Sequence, residues 1–319
     1  MTLRVLENIF LYKFTYKMDA IKLEGLTKEY PLQGGVKMAL NGVNLSIPKG
    51  LIFGLLGPNG AGKSTIINII SGIIQATSGS VSVMGKDFNK DQKFCKQKIG
   101  TAVQEVLLDP FFSVEEYLTF IAGYYGISSK KAKERIHEVC ESLSLSAHLK
   151  KNTRMLSGGM KRRLIVAKAI IHNPDIIILD EPTAGVDIEL RNSLWDFMLK
   201  LNKKEGKTII LTTHYLKEAE DFCDRIAFIN NGNIILEDTK HKILKKINSK
   251  TIVFKIEGEV NFELPVGVSF KDGELKIMSR ESHFDLTSFL QTLTKSNVKI
   301  VDILTKETTL DDIFLSLFK

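Results

Sequence analysis

The sequence predicts an open α/β fold, and three observations carry that prediction. Strand and helix signals alternate from residue 20 onward. Three short, largely apolar runs, Leu51–Leu56, Asp175–Leu179 and Thr208–Leu211, read as buried strands, because a strand covered on both faces is apolar along most of its length. Polar residues follow these runs at their C-terminal ends, where open α/β sheets place their ligands.

Length and composition set the frame. A chain of 319 residues is long for one domain and suits one large domain plus one small one. With 44% apolar and 25% charged residues, it has the make-up of an ordinary globular protein. No apolar run reaches the roughly 20 residues of a membrane-spanning helix, so any work at a membrane is expected to go through a partner. Cys95, Cys140 and Cys223 are scattered without metal-ligand spacing and read as reduced structural thiols. Residues 128–163 hold ten basic and three acidic side chains, which alone equals the net charge of +7. No aromatic stacking pattern accompanies them, so they read as a solvated helical face plus residues leading into a nucleotide site, rather than a nucleic-acid site.

Along the chain, residues 1–19 form an extension ahead of the first strand, Ala20–Leu26. Its apolar stretch is interrupted and lacks a small-residue cleavage site, which excludes a convincing signal peptide. Translation is expected to start naturally at Met18, with a short membrane-surface amphipathic helix as the alternative. The strand Leu51–Leu56 ends on Gly57, and the helix after it turns Ile66, Ile67, Ile69 and Ile70 inward before stopping near Gly72. Between Gln104 and Leu164 the pattern is helical, clearest over Val114–Tyr125 and Lys130–Leu143, and residues 105–164 read as an inserted helical subdomain. The main domain is expected to span 20–244 and an accessory module 245–319. In the latter, Thr251–Ile256, Glu274–Met278 and Val298–Leu304 read as strands, and Phe284–Leu293 and Leu310–Phe318 as helices. This small α+β module carries balanced charge and no catalytic cluster; His283 and Asp285 read as surface or capping residues.

Three segments carry chemistry. Gly57-Pro58-Asn59-Gly60-Ala61-Gly62-Lys63-Ser64-Thr65 has phosphate-loop spacing between a strand and a helix. Its glycines free backbone N–H groups to face phosphates, Lys63 reaches the β- and γ-phosphates, and the Ser64 hydroxyl is a Mg²⁺ ligand. Asp180 closes an apolar strand, which suits a rigid carboxylate near a metal, and Glu181 follows as a carboxylate able to orient water or accept a proton. Ser157-Gly158-Gly159 precedes an amphipathic helix containing Leu164, Ile165, Ala167, Ala169, Ile170 and Ile171, and resembles a second helix-N-terminal anion site, with an ordinary N-cap serine and glycine turn as the alternative.

Taken in order, the phosphate loop, Leu156-Ser157-Gly158-Gly159 and Ile176-Ile177-Ile178-Leu179-Asp180-Glu181 resemble the ATP-binding cassette (ABC) ATPases over about two thirds of the chain. The resemblance implies a RecA-like phosphate-loop cassette with an antiparallel β edge and an inserted helical subdomain, and ATP hydrolysis with ATP and Mg²⁺ as cofactors. It makes Glu181 the carboxylate that polarises the attacking water and His214 the switch histidine at the γ-phosphate. Gln104 becomes the loop glutamine that senses Mg²⁺ and water, and Tyr30 the aromatic that stacks on adenine. Ala184-Gly185-Val186-Asp187 matches a segment that crosses between subunits. No ribose contact is assigned within Pro31–Met38. Met160 departs from the commoner glutamine after the signature glycines, while Lys161-Arg162-Arg163 continue a pattern seen in some exporter ATPases.

Together with the ending Val301-Asp302-Ile303-Leu304 and Thr309–Phe314, these segments look like bacterial ABC-2-type export ATPases of the YadG-like group. That likeness implies a head-to-tail dimer with a second copy of the chain and a separate integral membrane permease. It also implies a peripheral position at the cytoplasmic face of the inner membrane. Two other classes are weighed against it. A ribosome-acting ABC factor carries two cassettes, whereas this chain has one phosphate loop; a nucleotide-gated module without turnover would not need Glu181 and His214.

Overall fold

The computed structural model describes residues 18–32, 34–103, 108–246, 250–257, 260, 264–265, 268–271, 273–279, 286–296, 298–306 and 309–318. The readings of residues 1–17 and of Gln104, His283 and Asp285 lie outside the described residues. By internal contacts the chain divides into two units, residues 1–238 and 239–319.

In the first unit, β1 (Asp19–Leu32) and β2 (Gly35–Pro48) form a long antiparallel pair. Alternation buries Ile21, Leu23, Leu45 and Ile47 and leaves Lys22, Glu24 and Asn44 exposed. Next comes β3 (Ile52–Leu56), apolar and buried throughout, and then α1 (Lys63–Ile70), which buries the four isoleucines read from the sequence. The strands β4 (Ser78–Val83) and β5 (Lys86–Asp87) complete a four-stranded sheet in the order β2-β1-β4-β5, the antiparallel edge of the fold.

A helix α2 (Gln92–Lys98) leads into β6 (Ile99–Ala102). The helical insertion follows, as α3 (Val114–Tyr124) and α4 (Ser129–Ser142). Ser113 and Glu116 close a reciprocal capping box at the start of α3, which satisfies two otherwise unpaired N–H groups. After α5 (Gly158–Ile170) the chain enters β7 (Ile176–Asp180), α6 (Ile188–Glu205), β8 (Thr208–Thr212), α7 (Leu216–Phe222), β9 (Arg225–Asn230) and β10 (Asn233–Thr239). The second sheet runs β10-β9-β3-β8-β7-β6. Within it β3 lies parallel to both β8 and β9, and β7 parallel to both β6 and β8. Central strands covered on both faces must be apolar, and β3, β7 and β8 are buried at every position. Their C-terminal ends share one edge of the sheet, and the site is built there.

His172, in the turn between α5 and β7, stacks on Tyr125 with ring centroids 3.6 Å apart, and its Nε2 lies 3.1 Å from the Ile99 carbonyl. Burial pushes its pKa down to about 4; the Ile99 contact opposes the shift, and Lys207 and Arg135 add to it. An unfolded histidine titrates near 6.5, so the unfolded chain takes up this proton first as pH falls. Stability from the neutral ring is therefore present above about 6.5 and is lost as pH falls toward 4. Between pH 7.5 and 4.5 the first unit is expected to lose about 2 kcal/mol through this group, at about 1.4 kcal/mol per pKa unit. Urea unfolding followed by fluorescence of the single tryptophan, Trp195, measures it. His172→Gln should flatten the pH slope by that amount, and an unchanged slope refutes the assignment.

The second unit contains α8 (Lys240–Lys246), β11 (Lys250–Glu257), β12 (Val268–Lys271), β13 (Glu274–Ser279), α9 (Leu286–Lys295), β14 (Lys299–Lys306) and α10 (Leu310–Leu317). Its sheet is antiparallel in the order β12-β13-β11-β14. Phe254, Ile256, Leu275 and Ile277 from the strands pack on Phe289 and Leu293 of α9. Among the described residues no helix is long and apolar enough to cross a membrane.

Candidate nucleotide site

The loop after β3 is shaped by what its glycines leave out. A Cβ at Gly57 would sit 2.2 Å from the Ile229 carbonyl oxygen. Gly62 has φ +114°, in a backbone region that side chains rarely adopt, and a Cβ there would meet the Ala39 carbonyl oxygen at 2.9 Å. The loop curls back on Lys63, whose Nζ donates to the carbonyls of Gly57 at 2.7 Å and Pro58 at 3.0 Å. Burial holds the Lys63 ammonium below the usual lysine range, while the nearby carboxylates of Glu181 and Asp180 pull it back up. At the start of α1, Gly62 offers no side-chain cap and the first turn has no acidic residue. The free N–H groups and the positive end of the helix dipole thus remain available to an anion.

The facing wall comes from the ends of β7 and β8. Asp180 is buried, and its Oδ1 accepts a hydrogen bond from Thr212 Oγ1. Glu181 adopts φ +49°, an uncommon conformation for a residue with a side chain. Its N–H donates to the Thr212 carbonyl at 3.1 Å and to Thr212 Oγ1 at 3.2 Å. His214, half-exposed just beyond β8, places Nδ1 3.3 Å from Glu181 Oε1. Behind this wall, buried Glu218 accepts from Thr183 Oγ1 at 2.6 Å and from Thr213 Oγ1 at 3.1 Å, fixing the residues that flank the acid and the histidine.

Between the two walls lies a cavity of about 770 Å³. Of the residues singled out in the sequence, it brings together Tyr30, Asn59, Gly60, Gly62, Lys63, Ser64, Thr65, Asp180, Glu181 and His214. Gly57, Pro58 and Ala61 do not line it, and neither do Ser157, Gly158 and Gly159. Ser157 is instead the exposed N-cap of α5, accepting a hydrogen bond from the Met160 N–H at 3.3 Å. A cationic loop, a helix N-terminus, two acids and an imidazole on one cavity can hold a polyanion and activate a water against it.

Sequence reading missed three contributors. Lys37 and Ala39 also line the cavity; the β1–β2 register sets Lys37 directly opposite Tyr30. Arg162 belongs to the basic segment that leads toward the nucleotide site, but the sequence assigns it no role of its own; it is buried at 6% exposure, with its guanidinium on the main chain at the end of β7. The available signal was spacing: Arg162, Ile165 and Ala169 fall on one helical face, and all three are buried.

The family model described as ABC transporter matches residues 40–184. Across nearly the whole chain there is a similar protein, the linearmycin resistance ATP-binding protein LnrL of Bacillus subtilis (strain 168). It is 36% identical over 308 residues, covering 93% of this chain and 97% of LnrL. The chain belongs to the ABC transporter ATP-binding family. As a member of that family it is the ATP-binding subunit of an ABC transporter and an ATPase. This ABC subunit is also 38% identical over 227 residues to the Nod factor export ATP-binding protein I of Rhizobium sp. (strain N33), covering 71% of this chain and 73% of that one. Its fold matches the dimeric, ADP- and phosphate-bound cassette MJ0796 with TM-score 0.65 and 29% identity, over 69% of this chain and 98% of that structure.

Proposed function

We propose that this subunit binds MgATP in the cavity between Lys63 and Glu181, closes head to tail on a second copy of itself, and powers a separate membrane permease as an ABC-2-type exporter. The observation that carries the reading is the division of the motifs. The phosphate loop, Asp180, Glu181 and His214 share one cavity, while the exposed signature residues Ser157 and Gly158 lie outside it. Lys63 and the N–H groups of α1 hold the phosphates, and Tyr30 stacks on the base. The Ser64 hydroxyl and the Asp180 carboxylate both line the cavity, a hard oxygen set that suits Mg²⁺, with Gln104 added by resemblance. Held by those oxygens, a Mg²⁺ ion would supply neutralisation of phosphate charge. Glu181 orients the water and takes its proton, and His214 steadies both the carboxylate and the γ-phosphate.

Export and a permease partner are supported by the export ATP-binding protein among the relatives and by a second concavity on the first unit. This groove of about 410 Å³ is lined by Ile73, Phe120, Tyr124, Lys96 and Lys168, of which Ile73, Phe120 and Tyr124 are exposed. An exposed apolar patch rimmed by lysines suits a short amphipathic segment carrying an acid. The membrane location follows from that partner, at the cytoplasmic face of the inner membrane. Affinity capture of the full chain from detergent-solubilised native membranes tests the reading. One multi-spanning protein is expected, and Phe120→Asp should release it while ATP hydrolysis persists. Recovery of ribosomes in its place would overturn the transporter assignment.

A further inference from the structure

We propose that Arg162 is a positioning residue. It fixes the backbone of Glu181 and ties it to α5, so that the helix begun by Ser157 and the hydrolytic carboxylate of the same chain move as one body. The inference rests on the proposed head-to-tail arrangement, in which Ser157 serves the partner's ATP and Glu181 serves its own.

Arg162 donates from Nε to the Pro182 carbonyl at 3.0 Å, from Nη1 to the Val103 carbonyl at 3.4 Å, and from Nη2 to the carbonyls of Asp180 and Glu181. Among the described residues, every hydrogen bond of this buried guanidinium goes to main chain. A planar fork with fixed donor directions defines the position of a backbone better than a flexible ammonium does. What it grips is unusual: a residue with a side chain in the left-handed region is strained and persists only where its surroundings over-determine it. At Glu181 both peptide units are held. Thr212 takes the N–H from one side, and Arg162 takes the carbonyl from the other.

The same side chain is rooted in α5, whose N-cap is Ser157. Arg162 lies little more than one turn into that helix, at 3.6 residues per turn, so displacement of the N-terminus reaches it with little loss. Its Val103 contact touches the segment just ahead of Gln104 as well. One guanidinium thus joins the helix that reads one ATP site to the strand ends that serve the other.

The test compares Arg162→Gln and Arg162→Lys with the unchanged full chain. Arg162→Gln is expected to lower kcat at least tenfold while KM and the Kd of a fluorescent ATP analogue stay within about threefold. Arg162→Lys, which keeps the charge but not the fork, should recover part of kcat. In a Glu181→Gln background, adding Arg162→Gln should leave ATP-dependent dimerisation intact. An unchanged kcat overturns the proposal, and so does a parallel loss of kcat and ATP affinity in both variants, which marks a general structural role. If Glu181→Gln alone fails to dimerise, the head-to-tail reading fails, whereas the split between kcat and KM still judges the positioning of Glu181.

Discussion

Glu181→Gln is expected to lower ATP turnover by roughly 10²–10⁴-fold and to leave ATP binding intact. Glutamine matches the acid in size and can still reach His214 Nδ1, which lies 3.3 Å from the carboxylate, but it cannot take a proton from water. The left-handed backbone at this position is held through the Glu181 N–H and carbonyl, by Thr212 and Arg162, groups that the substitution leaves in place. The variant should therefore keep the shape of the loop and isolate the loss of basicity. Phosphate release measures turnover, and equilibrium binding of a fluorescent ATP analogue measures affinity. Turnover near the wild-type rate would remove Glu181 from the role. A matched loss of binding would mean that the substitution had damaged the loop.

Three strands of the parallel core were readable because burial on both faces leaves a local signature. β3, β7 and β8 are short apolar runs with their chemistry at one end, and each lies within a residue of its expected bounds. The phosphate loop was equally legible, since its requirement for glycines is written residue by residue. What escaped was set by pairing across distance. Nothing local to Lys37 marks it for the cavity; it arrives because β2 folds back on β1 and sets it opposite Tyr30. Arg162 was hidden by its neighbours, Lys161 and Arg163, in a run that reads as a solvated face leading into a nucleotide site without singling out one residue. Its place on the Ile165–Ala169 face shows only when helical phase is weighed above composition. In the second unit, β12 is a four-residue edge strand, too short to show a period, and its pairing with β13 defines it. The tie from Thr212 to Asp180 belongs to the same class, because adjacent strand ends β7 and β8 are brought together only by the sheet.

Adding Ser157→Arg to the Glu181→Gln chain is expected to abolish ATP-dependent dimers while monomers still bind ATP. Ser157 is outside the cavity that gathers Lys63, Ser64 and Glu181, so a change there leaves the chain's own phosphate contacts in place. The loop is also open in the monomer: Ser157 and Gly158 are exposed, and a Cβ at Gly158 meets nothing within 4 Å. A long side chain at Ser157 therefore has room in the free protein and encounters an obstacle only when a second surface closes over it. Loss of the N-cap, about 1 kcal/mol, loosens the first turn of α5, which a melting curve reports separately. In a two-fold dimer the same contact occurs twice, so one substitution blocks both ATP sites. Sedimentation with and without ATP, in the hydrolysis-deficient background, should show dimers for Glu181→Gln and monomers for the double variant at equal ATP occupancy. Equal dimerisation of the two proteins would show that Ser157 does not act across the interface, and the second anion site would then need a ligand within its own chain.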